Sequence, residues 1–273
     1  MTKINNTKKI FIIVISFIFL FIISYFIFTV KTEAPEVKEV LNLSPQTNKE
    51  DVIKNTLTEQ KEIKDSIEYI VIKRSVVVPK DPKVKVKSVL LTIDDGPTIR
   101  TEEVMAILKK HNANAIFFIN GNKDKNNKGI IQKINNEGFS VGNHTWNHLN
   151  LKKENNTTII EKEINTTSDL IKKETGSNPH FFRAPYGESN TEIRKMVKDS
   201  GMIFMDWSGA AIDWDKATAD PKIFVNNVMK DIHPGSIILL HENPWSVLNL
   251  DILLTTIDEN GYTYIDPRDI KED

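Results

Sequence analysis

From about Val86 to the C-terminus, short runs rich in β-branched and aromatic residues alternate with stretches of helical periodicity. "SVLLTI" (88–93) is followed by "TEEVMAILKKHN" from Thr101, in which Val104, Ile107 and Leu108 fall on one helical face. The pattern continues through "NAIFFI", the segment 129–137, "FSVGNH", a long polar helix over 154–174, "HFFRAPYG", a helix from Thr191, "MIFMDWS", a helix from Pro221, "SIILLH", a helix from Ser246 and "YTYI". Such alternation predicts βα units in a parallel sheet, closed or nearly closed into a barrel. In that architecture chemistry belongs at the C-terminal ends of the strands.

The N-terminal third obeys other rules. Ile10 to Val30 carries no charge and has roughly the 20 residues that span a bilayer core. No A-x-A cleavage site follows, so the run reads as an uncleaved transmembrane anchor. Lys3, Lys8 and Lys9 precede it, and the positive-inside rule then leaves the N-terminus cytoplasmic and exports the rest. Residues 1–30 are thus expected to be a cytoplasmic N-terminus and anchor, and 31–66 a polar stalk with Pro35 and Pro45. "IEYIVIKRSVVV" (67–78) has strand composition and ends in the turn signal "PKDPK", so 67–85 reads as an added hairpin or edge strand. Residues 86–273 are expected to form one further domain. The expected localisation is the cell membrane, single-pass, with that domain outside the cytoplasm.

Composition removes several classes of function. The chain has no cysteine, which excludes disulfides, thiolate metal sites and a cysteine nucleophile, so any metal must sit on nitrogen and oxygen. A formal net charge of -1, with both signs interspersed, leaves no basic stripe for nucleic acid.

Unusual polar groups lie where the strands should end: Asp94 and Asp95, His144 and His148, Arg183 and Tyr186, Asp213, and His241. In "HTWNH" the histidines are four apart, so on a helix both imidazoles would face one way and could share a metal. A carboxylate from another strand end completes a set of two histidines and one acid with positions left open. "DDG" then acquires a purpose: one aspartate can bind the metal while its neighbour takes a proton. Without the histidines, both acids would read as turn and cap residues.

The motifs "TIDDG", "HTWNH", "RAPYG", "DW" (Asp213, Trp214) and "LLH" (Leu239 to His241) resemble, in order and spacing, those of the polysaccharide deacetylases, the NodB-homology carbohydrate esterases of family four. The resemblance spans roughly Ser88 to Ile265. It implies a distorted (β/α) barrel of about seven strands and hydrolytic N-deacetylation of amino sugars. By resemblance, Asp94 is the general base, Asp95, His144 and His148 hold the metal, and His241 is the general acid. The metal is usually zinc, in some members cobalt or nickel. Tyr186 supplies a backbone N–H to the oxyanion, Arg183 holds Asp94, Asp213 orients His241, and Trp214 and Leu239 line the acetyl pocket. Two departures stand out: Ala210 replaces an acid common in the family, and Ile93 replaces the usual Phe.

His111 and His233 read as surface or capping residues and His180 as a packing residue, and Trp207 and Trp245 as sugar-stacking, core or rim residues. The anchor points to peptidoglycan N-acetylglucosamine as the glycan partner, with chitin oligosaccharides or poly-N-acetylglucosamine as alternatives, and a monomer is expected. A glycan-binding protein of the same fold with little turnover is a second class, and a non-haem iron enzyme with the same ligand types a third.

Overall fold

The computed structural model describes residues 67–272. The proposed anchor and stalk lie outside the described residues, and among the described residues no helix is long and apolar enough to cross a membrane.

The described chain opens with a hairpin, β1 (Tyr69–Ile72) and β2 (Val76–Pro79), whose strands pair antiparallel. Then β3 (Ser88–Gly96), β4 (Ala115–Ile119), β5 (Ser140–Asn143), β6 (Phe181–Phe182), β7 (Ile203–Phe204), β8 (Gly209–Ala210) and β9 (Ile237–His241) form one parallel sheet. Its order is β7-β6-β5-β4-β3-β9-β8. β10 (Thr263–Tyr264) pairs with the start of β3, and β11 (Ile270–Lys271) joins β1. The crossover helices are α1 (Thr101–Lys110), α2 (Ile130–Asn136), α3 (Thr157–Thr175), α4 (Thr191–Asp199), α5 (Pro221–Met229) and α6 (Pro244–Glu259). Local chemistry sets their ends. Asn156 and Asn190 accept from backbone N–H groups at the starts of α3 and α4, prolines open α5 and α6, and Gly176 at φ 83° stops α3.

Alternation along the strands separates two cores. Leu91 and Ile93 of β3, Phe117 and Ile119 of β4, and Ile238 and Leu240 of β9 pack outward against helix residues such as Val104, Leu108, Leu250 and Leu253. Leu90, Ile116, Phe181 and Ile237 turn inward and meet Tyr69, Val77 and Ile270 of the small sheet. The hairpin therefore plugs the N-terminal end of the curled sheet. Each fully buried Leu, Ile or Phe contributes roughly 1.5–3 kcal/mol to that packing. Two residues further along the same inward faces come Thr92, Phe118, Arg183 and Leu239, and beyond them Asp94, Asn120 and His241. The interior is apolar at one end and charged at the other.

The expected barrel is a curled sheet open on one side. β6, β7 and β8 have only two residues each, too short for a continuous ladder, and β7 and β8 are left as edges. The chain itself, residues 205–208, bridges them, and its hydrogen bonds pass from one side to the other: Met205 N donates to Phe182 O (2.8 Å), Asp206 N to Arg74 O (2.6 Å) and Ser208 N to Ile237 O (3.0 Å).

Candidate active site

On a regular strand Asp94 and Asp95 would face opposite sides of the sheet. Here the β3–β4 register slips between Asp94 and Gly96, so Asp95 is the extra residue of a bulge, at φ 66°. The bulge turns both carboxylates toward one place.

The two histidines reach that place by a route other than the expected helix. Residues 144–150 form no helix; Thr145 and His148 take left-handed φ values of 69° and 60°, and these two reversals bring the imidazoles together. Asn143 Oδ1 accepts from Thr145 N (2.8 Å), Thr145 Oγ1 from His148 N (3.1 Å), and buried Glu163 from Asn147 N (2.6 Å). With each turn already hydrogen-bonded, the sequence "HTWNH" makes a fixed loop.

His144 Nε2 lies 3.7 Å and His148 Nε2 3.4 Å from Asp95 Oδ1, and the three ligand atoms lie within 4.8 Å of one another. Nitrogen and oxygen ligands at roughly 2.0–2.1 Å from a tetrahedral ion are about 3.4 Å apart, so these residues fit a divalent metal. Asp95 Oδ1 is buried without a hydrogen-bond partner, which is what a ligand atom awaiting a cation looks like. His144 Nδ1 is 2.8 Å from Arg183 O, so it carries the proton and leaves Nε2 free to coordinate. Burial pushes the His144 pKa down despite Asp94 and Asp95, which keeps the ring neutral. Burial works against charge on Asp95 too, but His144, His148, Lys123 and His241 outweigh it and hold its pKa below the ordinary value.

Asp94, 2% exposed, sits directly above Arg183. Arg183 Nη1 donates to Asp94 Oδ1 (2.7 Å) and Thr92 Oγ1 (2.7 Å), Nε to Met205 O (3.1 Å) and Nη2 to Asp206 O (2.9 Å). The guanidinium also lies 4.4 Å over the Phe118 ring. Gly142 makes room there: a Cβ at that position would lie 2.6 Å from Phe118. On the neighbouring strand, in register with Asp94, His241 Nδ1 is 2.7 Å from Asp213 Oδ1, and Asp213 Oδ2 accepts from His241 N and Ser246 Oγ, each at 2.7 Å. Burial alone would lower the His241 pKa; the hydrogen bond to Asp213, its charge, and those of Asp94 and Asp95 reverse the sign and raise it. One end of the curl thus holds a carboxylate fixed by arginine, a three-ligand cluster, and an imidazole biased toward its charged form.

A model of the polysaccharide deacetylase family matches residues 81–205. A peptidoglycan-N-acetylglucosamine deacetylase of Bacillus cereus is 34% identical over 183 residues, covering 65% of this chain and 66% of the relative. PgdA, a peptidoglycan-N-acetylglucosamine deacetylase of Listeria monocytogenes, is 32% identical over 207 residues, 75% of this chain and 43% of its own. A peptidoglycan N-acetylglucosamine deacetylase solved in complex with 4-naphthalen-1-yl-N-oxidanyl-benzamide matches with a TM-score of 0.63 and 31% identity, over 67% of this chain and 87% of that one. The chain belongs to the polysaccharide deacetylase family. It spans less than half of the Listeria relative and just under two thirds of the Bacillus one.

The remaining expected residues of this deacetylase-family chain also gather at the cluster. Tyr186, at φ 62° and 63% exposed, sets its ring 4.7 Å edge-on to His148. Trp214, 57% exposed, stands 6.0 Å from His241 at 89°. Leu239 is buried on the same inward face of β9 as His241. Trp245, half-buried, donates its Nε1 to Asp213 O (2.7 Å), joined there by Asn243 Nδ2 (3.0 Å). Sequence reasoning missed Ser246, Asn243, Lys123 and Glu242, none of which belongs to a motif. The adjacency of Glu242 to His241 was the one signal available.

Proposed function

We propose that the chain is a metal-dependent hydrolase that removes N-acetyl groups from amino sugars of an extracellular glycan, peptidoglycan N-acetylglucosamine first among them, and releases acetate. The observation that carries this reading is Asp94 and His241, paired in register on neighbouring strands beside the Asp95, His144 and His148 cluster, with each of the two held by its own buried partner. Zinc is the metal we assign, and when bound it would polarise the acetyl carbonyl and acidify water. Asp94, fixed by Arg183, takes the proton from the attacking water. His241, kept charged by Asp213, returns a proton to the departing amine, without which the amide nitrogen is a poor leaving group. The backbone N–H of Tyr186 faces the developing oxyanion, and Trp214 with Leu239 shelters the acetyl methyl.

Peptidoglycan is favoured by the activity of both curated relatives and by the charge-free run 10–30, which we read as an anchor holding the domain outside the cytoplasmic membrane. A monomer meets the requirement of the site, since every group named comes from one chain.

The test is acetate release by the full-length protein from peptidoglycan, chitin oligosaccharides and poly-N-acetylglucosamine, with chelator and with added zinc, beside Asp94→Asn. Zinc-dependent release, greatest on peptidoglycan and lost in Asp94→Asn, is expected. Greater release from one of the other glycans would move the substrate; zinc bound with no release from any would leave a glycan-binding protein.

A further inference from the structure

Metal-binding carboxylates are usually hydrogen-bonded in turn by outer partners that aim them. Asp95 shows no such partner among the described residues: Oδ1 is the atom facing the two imidazoles, no hydrogen bond reaches either carboxylate oxygen, and the residue sits at a left-handed φ that non-glycine residues adopt uncommonly. Something else must hold it.

The backbone around the bulge is held from both sides. On one side Lys123 Nζ donates to Asp95 O (2.5 Å), and Asn127 Nδ2, from the same turn, donates to Pro97 O (3.0 Å). On the other side is Glu242, 5% exposed and outside the motifs. Its Oε2 accepts from Thr98 N (3.1 Å) and from the Thr98 hydroxyl, and both oxygens accept from Thr101 Oγ1 (2.9 and 2.7 Å). The fit is close, since a Cβ at Gly96 would stand 3.0 Å from Glu242 Oε1. Glu242 follows His241 at the end of β9, so one strand end carries the imidazole beside Asp94 and the carboxylate that fixes the loop after Asp95.

We propose that Lys123 and Glu242 are positioning residues for Asp95. Lys123 holds the carbonyl of the bulge residue and Glu242 the backbone three residues after it, so that the carboxylate meets the two imidazoles without an aiming hydrogen bond of its own. The inference rests on the metal reading above. A purely structural role, with Glu242 only tying down the start of α1, would change stability and leave the metal site as it is.

The experiment measures Zn2+ affinity of the metal-free, full-length protein by competition with a chromophoric chelator, and the visible spectrum of the Co2+ form, for wild type, Lys123→Met, Lys123→Arg and Glu242→Gln. Lys123→Met and Glu242→Gln are each expected to weaken Zn2+ binding about 10- to 100-fold and to change the Co2+ bands. Lys123→Arg, which can still donate to the Asp95 carbonyl, should recover the wild-type spectrum. Wild-type affinity and spectrum in Lys123→Met and Glu242→Gln would overturn the proposal while leaving the metal reading intact. No Zn2+ binding by the unsubstituted chain would overturn both. If Glu242→Gln fails to fold, the Lys123 pair alone decides, because Lys123 is partly exposed.

Discussion

The adjacency of Asp94 and Asp95 acquires its meaning from the bulge, which brings both carboxylates to His144 while Asp94 alone is bound to Arg183 and Asp95 alone also meets His148. Five residues with left-handed φ, namely Asp95, Thr145, His148, Tyr186 and Ile212, lie in the loops of this one end. Side chains rarely adopt that region, so the loops store strain that the surrounding hydrogen bonds must hold. Asp94→Asn is expected to retain Zn2+ while turnover falls about 10²- to 10⁴-fold, the usual contribution of a positioned base; loss of metal affinity instead would assign Asp94 to the ligand set. His241 must be protonated to act as an acid, and its pKa is raised, so kcat/KM should fall as pH climbs through that raised value. Asp213→Asn removes the main cause of the rise and leaves burial, which acts downward, so the alkaline limb should move to lower pH. A limb that stays in place would remove His241 from the role of acid.

At the scale of elements, the hairpin β1–β2 with β11 is part of the catalytic unit, since its apolar residues complete the inner core beneath Thr92 and Arg183. Ile270→Ala should therefore destabilise the domain by about 2–5 kcal/mol, a buried-cavity cost, measurable as a lower urea midpoint. The helices have their own fastening. His111, at the end of α1, places Nδ1 2.7 Å from Asp258 and Nε2 2.9 Å from Asp251, both on α6. Only the doubly protonated ring can donate to both. Burial lowers the His111 pKa, but the two hydrogen bonds exceed that and raise it above its ordinary value. The stability it contributes is then fully present below that ordinary value and is lost as pH rises through the raised one. His111→Ala should lower the urea midpoint at pH 6 and change it little at pH 9; equal losses at both would show that the ion pairs contribute nothing.

Across the whole molecule, the curl separates an apolar end closed by the hairpin from a charged end open to substrate, and a metal ion would add cohesion where like charges and strained loops meet. Added zinc should raise Tm, with a stabilisation of about 2.7 kcal/mol at a free concentration 100 times Kd, and Asp95→Asn or His148→Ala should abolish that rise. The parts of this arrangement legible in the sequence were those with local signatures. The strand runs, the helix starts at Thr101, Thr191 and Pro221, and the polar residue at each strand end follow from periodicity and from turn and cap chemistry within a few residues. The helix supposed for "HTWNH" failed because hydrogen bonds from Asn143, Thr145 and Glu163 stabilise two left-handed residues, a choice that four-residue spacing cannot reveal.

By itself, then, the sequence determined the order of elements and the end of the sheet where the chemistry-bearing residues collect, because each depends on a residue type and its place at a strand end. Only the tertiary structure decided how those groups face one another. The bulge at Asp95, the open side between β7 and β8, and the pairing of Glu242 with Thr98 and Thr101 arise from contacts between residues as many as 144 positions apart. Such contacts are set by packing and hydrogen bonding across the folded sheet, whose geometry no short window of sequence encodes.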